Sequence, residues 1–411
     1  MTWFARHRLA VAGLALVVTA AVAVGGYVLF GTPDYGERIN GPSGDYPAPV
    51  GDGVPNPPLT VLGRADDPRI LDGLGIELGH AVVARAVRSG AEYWSYDREG
   101  STPSRIATAD EGLYVLWDDG LLVRLDPRTA EPRWHTETGM DEYSEIRVVG
   151  SVVVLLQDTS VAAYHGDGGG EAWTASPPPD CRASEAFSDA LVTGTALAIE
   201  TSCTSGPDGV TVLDQDGRRT WIADEEARHV IRAGADRFGV TSSLGPVSIY
   251  DVDTGERAMR VARAADNATY WDGDDEFLVA RNSDARAAGD VAYAAWDRER
   301  NQRAWSVRTD GTWQPAEIPL IAGDVVYAVH YRPDKVQRRA LVAYDLATGE
   351  QRWHTEIDLA RHVKAGAPVP FGELELAVTG ISAGTVTLTI GEPGARTSDY
   401  CHRCSIVLGE A

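Results

Sequence analysis

Several short stretches of this chain carry side chains able to do chemistry. Arg133-Trp134-His135-Thr136-Glu137 recurs as Arg352-Trp353-His354-Thr355-Glu356, each copy setting a histidine near a glutamate as in an acid/base pair. Asp272-Gly273-Asp274-Asp275-Glu276 crowds carboxylates, the hard oxygen ligands that Ca²⁺ takes. Cys401-His402-Arg403-Cys404 offers thiols and an imidazole for redox or zinc chemistry, and the glycines between Gly166 and Gly170 invite comparison with a phosphate-binding loop.

Each has a plainer reading. A histidine present at the same place in two repeated units belongs to the scaffold, because chemistry needs one asymmetric site. The carboxylate run lacks the spacing of a calcium loop and reads as a solvated acidic turn, and Asp251, Asp253 and Glu256 belong to a repeated turn. Zinc needs four ligands, and the usual redox motif opens a helix beside a strand. No helix is expected after Gly170, so phosphate has no helix terminus to meet. The sequence therefore predicts no catalytic, cofactor-binding or metal-binding residue.

The elements that would position these groups come from a repeat. Ala343-Tyr344-Asp345-Leu346-Ala347-Thr348-Gly349-Glu350-Gln351-Arg352-Trp353 is its cleanest copy, and weaker copies return roughly every 44 residues. The pairs Asp126 and Trp134, His165 and Trp173, Asp214 and Trp221, Asp251 and Met259, Asp297 and Trp305, and Asp345 and Trp353 mark them. A large apolar residue precedes the aspartate position, the carboxylate can accept N–H bonds in the turn it opens, and glycine there tolerates positive φ. Ala130 stands where glycine is usual. Runs such as Leu113-Tyr114-Val115-Leu116 and Val325-Val326-Tyr327-Ala328-Val329 read as buried inner strands.

These units predict an all-β chain of four-stranded antiparallel blades closed into a β-propeller. Inner-strand starts at Gly112, Ser151, Ala190, Arg237, Glu276, Asp324 and Glu373 count seven blades, or eight if residues 60–62 add a strand. The last unit looks incomplete, and residues 81–96, where Ser89-Gly90-Ala91-Glu92-Tyr93-Trp94 repeats half the phrase, would complete it and close the ring.

The phrase resembles the PQQ-like β-propeller repeat, whose pattern A-x-D-x-x-T-G-x-x-x-W is met by Ala343, Asp345, Thr348, Gly349 and Trp353. The resemblance covers residues 80–411 and implies that Trp94, Trp134, Trp173, Trp221, Trp305 and Trp353 dock blade on blade. Members include quinone-dependent dehydrogenases and non-enzymatic propellers such as the lipoprotein that helps assemble outer-membrane barrels. A quinone enzyme implies adjacent cysteines on the cofactor, a calcium cluster and an axial aspartate; no Cys-Cys pair occurs here, so no cofactor is expected. The richness in Ala, Val, Gly, Asp and Arg resembles actinobacterial proteins.

Residues 1–8 carry Arg6-His7-Arg8, and residues 9–30 hold no charge. As a helix that run reaches about 33 Å, against a hydrocarbon core of roughly 30 Å. The expectation is a cytoplasmic tail at 1–8, a transmembrane anchor at 9–30, a Pro/Gly-rich linker at 31–58 and an extracytoplasmic propeller at 59–411 of a single-pass cell-membrane protein. A cleaved signal peptide is the rival reading. The net charge of −23 makes nucleic acid and anionic lipid poor partners for the domain. Four cysteines outside the cytoplasm favour disulfides, and the expected pairing is Cys181 with Cys203 and Cys401 with Cys404.

The functional expectation is a binding or scaffold module for a protein, peptide or cell-envelope component. The alternative is a propeller enzyme with a channel site, quinone-dependent or glycan-active. Residues 280–290, 330–339 and 391–403 break the repeat, so binding is expected there.

Overall fold

Eight antiparallel sheets follow one another along the chain in the computed structural model. It describes residues 35–410 apart from residues 52, 56–58, 66, 110–111, 158, 184–189, 224–228, 242–245, 263–267, 283, 364–373 and 392–403. Numbered in chain order, blade 1 spans residues 69–98, blade 2 103–137, blade 3 145–175, blade 4 181–223, blade 5 229–261, blade 6 268–308, blade 7 314–358 and blade 8 375–409. Each blade touches the next through strands near the axis, and Glu375–Ser382 of blade 8, which meets Val325–Tyr331 of blade 7, returns to Arg69–Leu71 of blade 1, so the ring is closed.

The count is eight, the alternative that turned on a strand at residues 60–62, and not seven. Residues 81–96 belong to a complete blade of their own, whose short first strands Arg69–Leu71 and Leu74–Leu78 carry little β signal in sequence. Blade 8 is instead completed by Thr60–Ala65, which pairs with Ser405–Gly409 from Thr60 opposite Gly409 to Ala65 opposite Ser405.

The apolar runs read as inner strands are mostly second strands. Gly112–Trp117 is buried at every residue and lies between Pro103–Ala109 and Leu121–Leu125. A second strand is covered on both faces by neighbouring blades and on both edges by its own sheet, which demands the most apolar sequence. The first strands carry polar groups such as Arg105, Glu145 and Arg147 on the channel side, and these pair with one another, Arg105 to Glu145 and Arg147 to Glu145 both at 3.2 Å.

The single-pass membrane placement is not supported. Among the described residues no helix is long and apolar enough to cross a membrane, and the run it rested on, residues 9–30, lies outside them. The helical content described is one 3₁₀ turn, Leu359–Arg361. The stretch read as a linker does take part in the fold: Glu37–Asn40 adds a fifth strand to blade 1, and Val50 is buried with Ala65, Val87 and Val407.

The recurring phrase builds the seams. Asp345 accepts N–H bonds from Ala347 and Thr348 at 3.1 and 2.9 Å, and the Arg352 guanidinium, 2.6 Å away, holds its carboxyl below the usual range. Gly349 sits at φ +72°, where an added Cβ would lie 2.6 Å from the ring of Trp305 in the preceding blade. Ala130 adopts the same left-handed conformation at φ +63°, at a cost glycine would not incur.

Candidate functional site

Six tryptophans singled out in the sequence all lie near the start of the strand that follows the repeated turn, the outermost of its blade except in blade 1, where Glu37–Asn40 lies beyond it. Four donate from Nε1 to a carbonyl of the next blade: Trp94 to Pro127 and Trp173 to Gln215 at 2.8 Å, Trp134 to Gly166 at 3.0 Å, and Trp305 to Leu346 at 2.7 Å. The acceptor is each time the residue after the aspartate position. Trp353 packs on Tyr327 within the core shared with blade 8, and Trp221 is half-buried. The Gly166 carbonyl is thus occupied by an indole.

The acidic run 272–276 is divided among separate tasks. Asp272 is buried on the first strand of blade 6 and takes a two-point bond from Arg232 of blade 5, at 3.0 and 2.8 Å. It also accepts from the Ile321 N–H of blade 7 at 2.7 Å, while Arg232 donates to the Ile321 carbonyl at 2.6 Å. Burial pushes the Asp272 carboxyl up against the pull of Arg232. Asp274 caps its own turn through the Glu276 and Phe277 N–H groups. Arg232, Asp274 and Ile321, with Gly194, Gly234 and Asp275, edge a concavity of 410 Å³ at the mouth of the channel, and Asp272 lies beneath it. Three blades are clamped there, and among the described residues no group of three or more His, Cys, Asp or Glu is placed to hold a metal ion.

Cys181 and Cys203 form a disulfide within blade 4, directly opposite one another across the pair Cys181–Ala183 and Ala196–Cys203. Cys404 is disulfide-bonded; Cys401, its expected partner, lies outside the described residues, as do residues 392–403 of the third expected binding loop.

The two histidine copies have different surroundings. His135 is stacked on Tyr35 and bonded to Glu37. His354 instead lines a groove of 460 Å³ between blades 6 and 7, with Val307, Arg308, Trp313, His330 and Tyr344. Trp313 is fixed by the connection that carries it: Asp310 accepts from the Thr312 and Trp313 N–H groups at 2.7 and 3.1 Å, and the Thr309 hydroxyl donates to the Trp313 carbonyl at 2.6 Å. The Arg332 guanidinium lies 5.7 Å from the Trp313 ring. Deeper in, Tyr344 Oη and His330 Nε2 are hydrogen-bonded at 3.0 Å, and burial lowers His330 to about 4, so the imidazole is neutral at pH 7. At the rim His354 Nδ1 meets Gln351 Nε2 at 3.3 Å. Here are aromatic faces, donors and acceptors, and a sheet edge, the equipment of a binding cleft.

Of the loops expected to bind, the one at 330–339 contributes His330 and the wall at Arg332. Sequence reasoning passed over Thr309-Asp310-Gly311-Thr312-Trp313; its signal was a tryptophan off the repeat behind an Asp-Gly turn.

The family model described as outer membrane protein assembly factor BamB matches residues 79–230 and 206–374. BamB from Moraxella catarrhalis is similar in structure, with a TM-score of 0.51 at 11% identity, over 87% of this chain and 100% of that one. The computationally designed Ika8 protein gives 0.53 at 10% identity, over 85% and 100%. A quinohemoprotein alcohol dehydrogenase from Comamonas testosteroni gives 0.44 at 14% identity, over 91% and 77%. No curated protein sequence matches the chain. With the family match spanning most of its length and the repeat built into every seam described above, this chain belongs to the PQQ-like β-propeller repeat family described by the outer membrane protein assembly factor BamB.

Proposed function

We propose that this propeller is a binding or scaffold module that holds an extended segment of a protein partner in the groove between blades 6 and 7. The observation that carries the reading is the groove itself: 460 Å³, lined by Trp313, Tyr344 and two histidines, and bounded by the outermost strand of blade 6. Rigid aromatic side chains supply contact area at low entropic cost, and neighbouring polar groups fix orientation. The family description, an assembly factor for outer membrane proteins, supports a partner that is itself a protein. The channel mouth is a poorer candidate, because Arg232 and Asp272 already satisfy each other across three blades.

Selection of a displayed random-peptide library on the full chain tests this reading. Peptides should be enriched, and the enrichment should be lost with Trp313→Ala, whose partly buried side chain lines the groove and packs on the edge of the core that blades 6 and 7 share. Enrichment that survives Trp313→Ala, or no enrichment at all, overturns it.

A further inference from the structure

The seam between blades 1 and 2 is a filled version of the seam between blades 6 and 7. Aligned on Trp94 with Trp305 and on Trp134 with Trp353, the ladders place Tyr96 with Val307, Trp117 with His330, Leu121 with Ala340 and His135 with His354. At the first seam the positions are large, and the chain's own Glu37–Asn40 lies in the remaining space. It pairs antiparallel with the outermost strand Glu92–Arg98, from Glu37 opposite Arg98 to Asn40 opposite Ser95. The Tyr35 ring stacks on His135 at 4.5 Å and 19°, and the Glu37 carboxylate bonds both His135 Nε2 and the Tyr96 hydroxyl. At the second seam Val307, His330 and Ala340 are smaller, the groove is open, and among the described residues no strand pairs with the outer edge of Gln302–Arg308.

We infer that this edge takes an extended acidic peptide segment of a protein partner by strand addition, antiparallel to Gln302–Arg308, with an aromatic ring on His354 and a carboxylate two residues later at His354 Nε2. The inference rests on the groove-binding reading above and specifies its mode. Strand addition draws affinity from main-chain bonds and specificity from alternate side chains, and the molecule already performs it once. The acidic preference follows from the edge charges. Blade 1 offers Glu92, Asp97 and Glu99, and its added strand answers with Arg38, 2.8 Å from Glu99. In blade 6, Arg303 and Arg308 stand in place of Glu92 and Asp97, and among the described residues neither has a carboxylate partner. Asp310, in the place of Glu99, is already held by the Thr312 and Trp313 N–H groups.

The probe is a labelled peptide of residues 35–42 carrying Arg38→Glu, titrated into the full chain. Saturable binding is expected, weakened at least tenfold by Arg308→Glu and by His354→Ala, with slowed hydrogen exchange at the amides of residues 302–308. The unmodified segment, with Arg38, should bind about tenfold more weakly. If library peptides occupy the groove and lose binding with Trp313→Ala, yet the edge amides stay unprotected, strand addition is wrong while the groove reading stands. If no peptide binds at the groove, both fall. Edge protection that appears only with rising protein concentration, without peptide, assigns the edge to a second copy and overturns the peptide assignment.

Discussion

At the axis, blades 5, 6 and 7 are joined by a charge pair with a buried carboxylate, Arg232 with Asp272, whereas at the rim blades are joined by a tryptophan and a carbonyl that recur from seam to seam. The rim bond buries a large apolar side chain and satisfies its one donor, which suits a joint made many times. The axial clamp carries charges whose desolvation must be offset by several bonds at once, here two from Arg232 and one from Ile321. Repetition fixes the ring, and departures from repetition create distinct sites: His330 where blade 2 has Trp117, Val307 where blade 1 has Tyr96.

The comparison can be broken first at the rim. Trp94→Ala removes a side chain 1% exposed together with its bond to Pro127, and it should destabilise by about 3–5 kcal/mol in denaturant unfolding. A loss within experimental error would take the docking role away from the tryptophans.

Acid should next separate the groove from the ring. His330 is held near 4 by burial against an ordinary 6.5, so its folded pKa lies below its unfolded one. Stability tied to its neutral form is complete above pH 6.5 and falls by up to about 3 kcal/mol as pH drops towards 4. Glu317, pushed up to about 7 by burial and by Glu375, contributes with the opposite sign: its penalty at neutral pH is relieved as pH falls through 7. His330→Gln should therefore leave a protein whose stability declines less between pH 6.5 and 4 than that of the unaltered chain. Parallel pH curves for the two would remove His330 from the account.

Asp272→Ala should cost about 2–3 kcal/mol, less than the tryptophan, because Arg232 can turn to channel water while the buried Ile321 N–H loses its partner. Greater loss here than at Trp94 would reverse the ranking of axis and rim. The smallest effect is a gain: Ala130→Gly relieves the left-handed backbone and should stabilise by about 0.5–1 kcal/mol, read as a small rise in melting temperature.

The all-β fold, the phrase and the turn glycines were legible because each unit states them again. Blade 1 was miscounted because Arg69–Leu71 and Leu74–Leu78 are short and interrupted by Asp72-Gly73, and the closing strand Thr60–Ala65 has a partner far away in sequence. The groove was harder to see. Its residues come from two blades, and what opens it is a difference in size between equivalent positions, visible only once the registers are known. His354 looked like scaffold because His135 shares its phrase; what separates them is Glu37–Asn40, which lies on one seam and not the other.

Blade 8 has a consequence for synthesis. Thr60–Ala65 leaves the ribosome more than 300 residues before its pairing partner Ser405–Gly409 is made. At about 5–20 residues per second that strand waits on the order of half a minute, while blades 1 to 7 can form behind it. A nascent chain is therefore an open arc with one unsatisfied edge at its front, and the ring is sealed only once Ser405–Gly409 has been made. A premature stop just before Ser405 would leave seven finished blades and a gap, a product expected to associate through that edge rather than remain monomeric.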